Sequence, residues 1–307
     1  MKTVTVQDHS AFSSFDVHTF GSGRPVFAFV GGVHGNETAG INAAELLVKY
    51  FERHNPVRGT VRVIPTVNPS AMRVNCRCSP VDGVDLNRCF PGNPGGSLTY
   101  RIADALWQET ANADFIIDLH GCDGGSLPYL LTICDEFPAV RRLAEAIPMG
   151  IAVRSKGTGG QLFVEACRRR GQAALVIELP CVNAAGKGRD DAAEQCFKAL
   201  LELLRSYGVT GGTPSGTPSG TPLVFYGCLK RAALPKGSAF EPCAVRGTIA
   251  ERGRVIGWAD GVSVRMPERG FILNLDGRCV YAAVEQNAMK SGGAGKDIAG
   301  ACNTEPF

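Results

Sequence analysis

No stretch of the 307-residue chain comes near the ~18 consecutive apolar residues that a membrane-spanning helix requires. The opening residues, Met1-Lys2-Thr3-Val4-Thr5-Val6-Gln7-Asp8, contain no apolar signal-peptide core. An excess of one charge sign is also missing. Thirty-two Lys and Arg against 29 Asp and Glu leave a net +3, with both signs interspersed. That balance argues against nucleic acid or an anionic membrane as the partner. The one dense basic run, Arg168-Arg169-Arg170, falls where a helix is expected to end, and cations there suit the helix dipole. Paired cysteines at zinc-finger spacing are lacking as well. Cys76-x-Cys78 is the only close pair among twelve cysteines, so no closed structural zinc site is expected. Without a secretory signal, the thiols are expected to be free, or to act as ligands, in a reducing cytoplasm.

What is present is an ordinary globular composition, 44% hydrophobic and 20% charged, enough for a sizeable core. The 38 glycines predict a chain rich in tight turns. Up to about residue 207 short apolar runs alternate with helical patterns. Strands are predicted at Pro25–Gly31, Thr60–Val67, Phe115–Leu119, Tyr129–Cys134 and Ala173–Leu179. Helices are predicted at Thr38–Arg53, Leu98–Ala111, Pro138–Ile147, Gln161–Arg170 and Asp190–Tyr207. Continuous apolar strands between helices predict an α/β fold, a mostly parallel, mixed sheet flanked by helices. This domain is expected over residues 1–210. A tandem Thr-Pro-Ser-Gly repeat then marks a linker over 211–222. Short β-rich runs predict a small C-terminal β domain over 223–290, and 291–307 reads as a flexible tail.

Histidine is scarce, five residues in all, yet two occupy conspicuous places. His34 lies in Gly31-Gly32-Val33-His34-Gly35-Asn36-Glu37-Thr38, directly after an apolar strand and opening a helix. His120 ends the strand Ile116-Ile117-Asp118-Leu119-His120. Sites in open parallel sheets form outside the carboxyl ends of the strands, so the two can meet. Glu37, three residues after His34, can converge on the same point. Two histidines, one carboxylate and a vacant position make the pattern of a catalytic zinc ion. Taken singly, Glu37 equally suits a helix N-terminus, and either histidine suits a satisfied polar position. A long loop from Val67 to Gly92 supplies Asn and Arg side chains suited to a carboxylate ligand, together with Asp85, which can orient a metal-bound histidine. Glu178 ends the apolar run Leu175-Val176-Ile177-Glu178, where partial burial raises a carboxyl pKa toward the range of a general base.

The ordered set HGNE, NPxAM, DLNRxFPG, DLH and an E-L-P strand end resembles the succinylglutamate desuccinylase/aspartoacylase family over roughly residues 20–207. That family's catalytic domain is similar to zinc carboxypeptidases, and its members remove acyl groups from amino acids. The resemblance implies one zinc ion per chain on His34, Glu37 and His120, with Glu178 moving a proton from water to the leaving amine. It implies that Arg77 polarises the scissile carbonyl, that Asn87 and Arg88 bind a substrate carboxylate, and that Asp85 backs a zinc histidine. The stretch from Arg77 to Asp85 is longer than in aspartoacylase, through Ser79–Gly83, and more like a broad bacterial deacylase branch. Arg73 is therefore an alternative to Arg77, and the acyl group stays open.

The reading that follows is a zinc-dependent amidohydrolase cleaving an N-acyl amino acid or a related small amide. A metallocarboxypeptidase acting on peptides or cell-wall fragments uses the same chemistry in a wider cleft. A non-catalytic zinc-binding protein is the third alternative. Tyr129, Ser126 and the loop 155–160 are candidates for substrate selection, and self-association into a homo-oligomer stays open.

Overall fold

The computed structural model describes residues 1–8, 11–122, 125–180, 187–212, 222–234 and 237–284. Most of the predicted linker and the whole of the predicted tail lie outside the described residues.

The large sheet is built from β1 (Lys2–Gln7), β2 (Phe12–Ser22), β3 (Val26–Gly31), β4 (Gly59–Ile64), β5 (Phe115–Cys122), β6 (Tyr129–Thr132), β7 (Ile151–Arg154), β8 (Ala173–Pro180) and β9 (Val224–Tyr226). Its nine strands run in the order β1-β2-β4-β3-β5-β8-β6-β7-β9. The centre, β4-β3-β5-β8, is parallel. β6 runs antiparallel to β8, and β1 and β2 add an antiparallel edge. Every residue of β3 is buried, as expected where helices cover both faces.

Six helices connect the strands: α1 (Thr38–Phe51), α2 (Pro69–Arg73), α3 (Leu98–Glu109), α4 (Pro138–Glu145), α5 (Leu162–Arg170) and α6 (Lys187–Ser206). The predicted mixed α/β architecture is therefore the one observed. The basic run does end a helix, α5, where Arg168 pairs with Glu136, Arg169 with Glu165, and Arg170 stacks on the Trp107 ring. The core holds Phe27, Phe29, Leu47, Ile64, Ile102, Leu106, Ile116 and Phe163, all with no exposed surface.

Several elements differ from the sequence expectation, the short β7 and α2 among them, which no prediction covers. β2 buries alternate residues only and β1 is no more than half-buried at alternate positions, so neither carries a continuous apolar run to mark it. β9, predicted as the start of the small β domain, pairs in parallel with β7 and closes the large sheet.

The remaining strands are β10 (Leu229–Arg231), β11 (Phe240–Pro242), β12 (Ile249–Ala250), β13 (Val255–Ala259), β14 (Val262–Arg265), β15 (Gly270–Asn274) and β16 (Val280–Ala283). They form a four-stranded sheet, β10-β16-β15-β12, and a three-stranded one, β11-β13-β14, around buried Ile256, Met266, Ile272 and Tyr281. Phe271, Leu273 and Ala282 of this region pack on Tyr129 and Val153 of the large sheet. The Leu127 N–H donates to the Leu273 carbonyl at 3.0 Å, and Arg246 donates to the Gly125 carbonyl. These contacts tie residues 125–127 to the C-terminal region.

Candidate metal centre

β3 delivers the chain into the turn Gly32–Glu37, which opens α1. The turn lies hard against α2: a Cβ placed on Gly35 would meet the Ala71 carbonyl carbon at 2.0 Å, so this position admits only glycine. The Gly35 N–H donates to the Cys76 carbonyl, 2.9 Å away, tying the turn to the loop beyond α2. His120 stands on the neighbouring strand β5. The three predicted ligands converge, all of them buried, with one donor atom from each within 4.8 Å of the others. His34 Nδ1 lies 2.8 Å from Glu37 Oε1, His120 Nδ1 lies 2.8 Å from Glu37 Oε2, and the two Nδ1 atoms are 3.1 Å apart.

These residues fit a zinc ion by geometry and by charge. Donors held at ~2.0–2.1 Å around a tetrahedral ion lie about 3.3 Å from one another, and here the two imidazole Nδ1 atoms are 3.1 Å apart with a Glu37 oxygen 2.8 Å from each. The outer nitrogen of each ring faces a carboxylate: His34 Nε2 is 2.9 Å from Asp85 Oδ1, and His120 Nε2 is 3.0 Å from Asp118 Oδ2. A proton on the outer nitrogen leaves the inner lone pair for a cation. The centre also gathers four carboxylates, Glu37, Asp85, Asp118 and Glu178, and one guanidinium, that of Arg77. A divalent cation relieves that excess of negative charge.

The electrostatics follow from the same crowding. Burial pushes the Glu37 carboxyl up, but the two imidazoles outweigh it and hold it well below the usual carboxylate range. Asp85 is lowered in the same way, with burial opposed by the bond to His34 and by Arg77. His120 is pushed down by burial and up more strongly by Asp118 and Glu37, ending well above an ordinary histidine. Glu178 behaves differently. It is partly buried on β8, in register with His120 on one side and with Tyr129 of β6 on the other, so the three side chains share one face. Burial lifts its pKa to about 7 against the pull of His120, and nearby Glu37 adds to the rise.

The Val67–Gly92 loop brings the remaining candidates. Asn68 caps α2, its Oδ1 accepting from the Ala71 N–H at 3.2 Å, and Asn75 turns the chain back with φ +52°. Arg77 thereby reaches the centre, with Nε 3.1 Å from Asp85 Oδ2 and Nη1 3.3 Å from Glu37 Oε1. Arg73, at the end of α2, is exposed. Of the two arginines left open by the sequence, Arg77 touches the cluster and Arg73 does not. Asn87 and Arg88 lie in a 3₁₀ turn, Leu86–Arg88. Asn87 is buried; its Oδ1 accepts from the Leu162 N–H at 3.0 Å, and its Nδ2 is 3.4 Å from His120 Nε2. Arg88 donates from Nη1 to the Asn87 carbonyl at 2.8 Å. The loop 155–160 packs on this turn so closely that a Cβ on Gly160 would meet the Arg88 carbonyl oxygen at 2.3 Å. Ser126 is buried and donates to the Leu127 carbonyl at 3.1 Å.

Asp118 is the member of the cluster that the sequence reading passed over. Its signal is the spacing Asp118-x-His120 on a strand, which puts both side chains on one face.

A solved succinylglutamate desuccinylase/aspartoacylase from Rhodobacter sphaeroides superposes with a TM-score of 0.72 at 25% identity, covering 90% of each chain. The Ectoine utilization protein EutE from Ruegeria pomeroyi, solved with product bound, shares the fold at a TM-score of 0.72 and 21% identity, over 91% of this chain and 92% of that one. In sequence, the chain is 30% identical over 199 residues to the N-alpha-acetyl-L-2,4-diaminobutyric acid deacetylase of Halomonas elongata. That match spans 61% of this chain and 56% of the relative's length. The model of the succinylglutamate desuccinylase/aspartoacylase catalytic domain matches residues 24–207, more than half of the chain, and the protein belongs to this family.

Proposed function

We propose that the protein is a zinc-dependent amidohydrolase that cleaves an N-acyl amino acid, or a related small amide, into an acid and a free amine. The observation that carries this reading is the convergence of His34, Glu37 and His120 beside a carboxyl group, Glu178, whose pKa is lifted to about 7. A bound zinc ion would polarise the scissile carbonyl and lower the pKa of water. Glu178 takes a proton from the attacking water and delivers it to the leaving amine, a task suited to a group poised near neutrality. Arg77 offers N–H donors to the oxyanion that develops on the carbonyl, beside the Asp85 and Glu37 carboxylates it already bonds. Arg88 supplies the cation for a substrate carboxylate, while Asn87 fixes the turn beneath it.

Small substrates are favoured over peptides. The C-terminal sheet packs on Tyr129, the residue next to Glu178 in register, and walls that side of the centre. The relative from Halomonas elongata is named for a deacetylase activity, which fits the same reaction class. A reducing, cytoplasmic setting fits the ten free cysteines of the described residues, and no described helix is long and apolar enough to cross a membrane.

The test is a substrate panel on the zinc-loaded chain. Release of amino acids from N-acetyl or N-succinyl amino acids well above release from dipeptides and tripeptides supports the proposal. Preferential cleavage of peptides would establish the carboxypeptidase alternative, and no turnover on either class would leave a binding protein.

A further inference from the structure

Among the described residues the three sheets end on six strands: β1 and β9, β10 and β12, β11 and β14. Five of these are four residues or shorter, a common way of blunting a sheet edge. β1 has six residues. Its run Thr3-Val4-Thr5-Val6-Gln7 holds no charge, proline or glycine, and it pairs with β2 without a bulge. Over these residues the edge lacks the usual guards against pairing with another chain.

The hairpin sets which backbone groups this edge offers. The Asp8 N–H donates to the Ala11 carbonyl at 2.9 Å, and the register of β1 on β2 continues from there through Val6–Ser13, Val4–Phe15 and Lys2–Val17. Bonded and non-bonded pairs alternate along an antiparallel ladder. Lys2, Val4 and Val6 therefore turn their backbone groups toward β2, and Thr3, Thr5 and Gln7 turn theirs outward. An outward carbonyl at Gln7 agrees with the bond it accepts from Arg101 Nη1 of α3, 3.2 Å away. A carbonyl oxygen has two lone pairs, so that bond leaves room for a second donor.

The occupant that matches this edge is a second copy of the chain. A two-fold axis perpendicular to the sheet keeps every residue on its own face, so even positions meet even and odd meet odd. Centred on Thr5, the pairing sets Val4 opposite Val6 on the half-buried face and Lys2 opposite Asp8 at both ends. Cross-strand pairs of opposite charge and of β-branched side chains each stabilise antiparallel strands. Centred on Val4, Lys2 would face Val6 and the charge match would be lost. Local bonds already hold both charges at the strand ends: Lys2 Nζ donates to Glu109 Oε1 at 2.5 Å, and Asp8 Oδ1 accepts from the Ala11 N–H at 2.9 Å.

We infer that β1 is the self-association edge of the protein: two copies join β1 to β1, antiparallel about a two-fold axis at Thr5, with Lys2 of each copy opposite Asp8 of the other. The two large sheets then run on as one. β2 and β4 stand between this edge and β3, so each copy keeps a complete metal centre of its own.

The experiment is sedimentation of the full chain over a concentration series, for wild type, Thr5→Pro, Lys2→Glu and the double variant Lys2→Glu/Asp8→Lys, with thermal melting of each in parallel. Wild type is expected at twice the chain mass. The Thr5 N–H points away from β2, so proline there removes no bond within the sheet, and proline is tolerated on edge strands. Thr5→Pro should sediment at the mass of one chain with a melting temperature close to wild type. Lys2→Glu sets like charges opposite each other at two symmetric places and should raise the dimer Kd roughly tenfold, with the double variant restoring it. The charge variants carry the test if Thr5→Pro fails to fold. A wild-type chain that stays monomeric throughout, or a dimer that a folded Thr5→Pro leaves intact, would overturn the inference. A dimer Kd indifferent to Lys2→Glu, or not recovered in the double variant, would overturn the register.

Discussion

The centre is assembled from two kinds of support. His120, Asp118 and Glu178 sit on β5 and β8, adjacent strands whose other residues are mostly buried. Arg77, Asp85, Asn87 and Arg88 sit on the long arm between β4 and α3, with only a five-residue helix and one 3₁₀ turn of regular structure. The strand-borne groups are positioned by the sheet register. The arm has to be tied down by side chains: Asp82 accepts from Ser97 Oγ at 2.6 Å, from the Thr99 N–H at 3.1 Å and from Thr99 Oγ at 2.7 Å, which also caps α3. In the proposed reaction the groups that must hold still come from the sheet, while Arg77 and Arg88, the residues proposed to meet substrate, come from the arm.

Substitutions on the two supports should separate accordingly. The largest effect is expected for His120→Ala, which removes a ligand from the strand side and should abolish zinc binding and turnover together, as read by metal analysis and a hydrolysis assay. Next comes Glu178→Gln. It should keep the zinc while lowering kcat by about 10²–10⁴-fold, the usual worth of a general acid–base group. Wild-type turnover in a zinc-loaded Glu178→Gln protein would remove Glu178 from the mechanism.

On the arm, Arg77→Met should cost about 10²–10³-fold in kcat, as loss of one oxyanion donor does, while Arg73→Ala leaves the rate unchanged. The opposite ranking would move the polarising role to α2. The smallest effect belongs to the tether. Asp82→Ala removes a capping acceptor worth typically ~1 kcal/mol, to be read by denaturant unfolding. Burial raises the Asp82 pKa, but the bonds from Ser97 and Thr99 outweigh it and the group ends below the ordinary value. A carboxyl lowered in the folded state stabilises above its unfolded pKa of about 3.9, and that contribution fades as pH falls. Wild type should therefore lose more stability than Asp82→Asn on acidification below pH ~4.

The same contrast explains what was legible in the sequence. The trio of ligands could be picked out because strand ends in a parallel sheet fall together, and the apolar runs before His34 and His120 announce those strands. Asp85 was legible from its place in DLN. Asp118 was not, because a carboxylate inside an apolar run reads as part of the strand until its partner two residues on is seen beside it. The preference for Arg77 over Arg73 depends on where α2 stops and on the left-handed turn at Asn75, neither of which periodicity marks. The carboxamide of Asn87 is engaged by Leu162 and set against His120, contacts that only the packing of α5 on the 3₁₀ turn reveals. β1 and β2 went unmarked because an edge pair buries one face and so alternates, where the central strands are continuously apolar. β9 resembles its C-terminal neighbours in texture, and its pairing with β7 is decided by tertiary contact.

The most direct measurement is hydrolysis of an N-acyl amino acid by chelator-stripped protein as zinc is added back. No turnover is expected without metal, then a linear rise with added zinc and a plateau at one equivalent per chain, with no such rise in His120→Ala. Full activity in the stripped protein, or a wild-type rise that ignores the loss of His120, would contradict it.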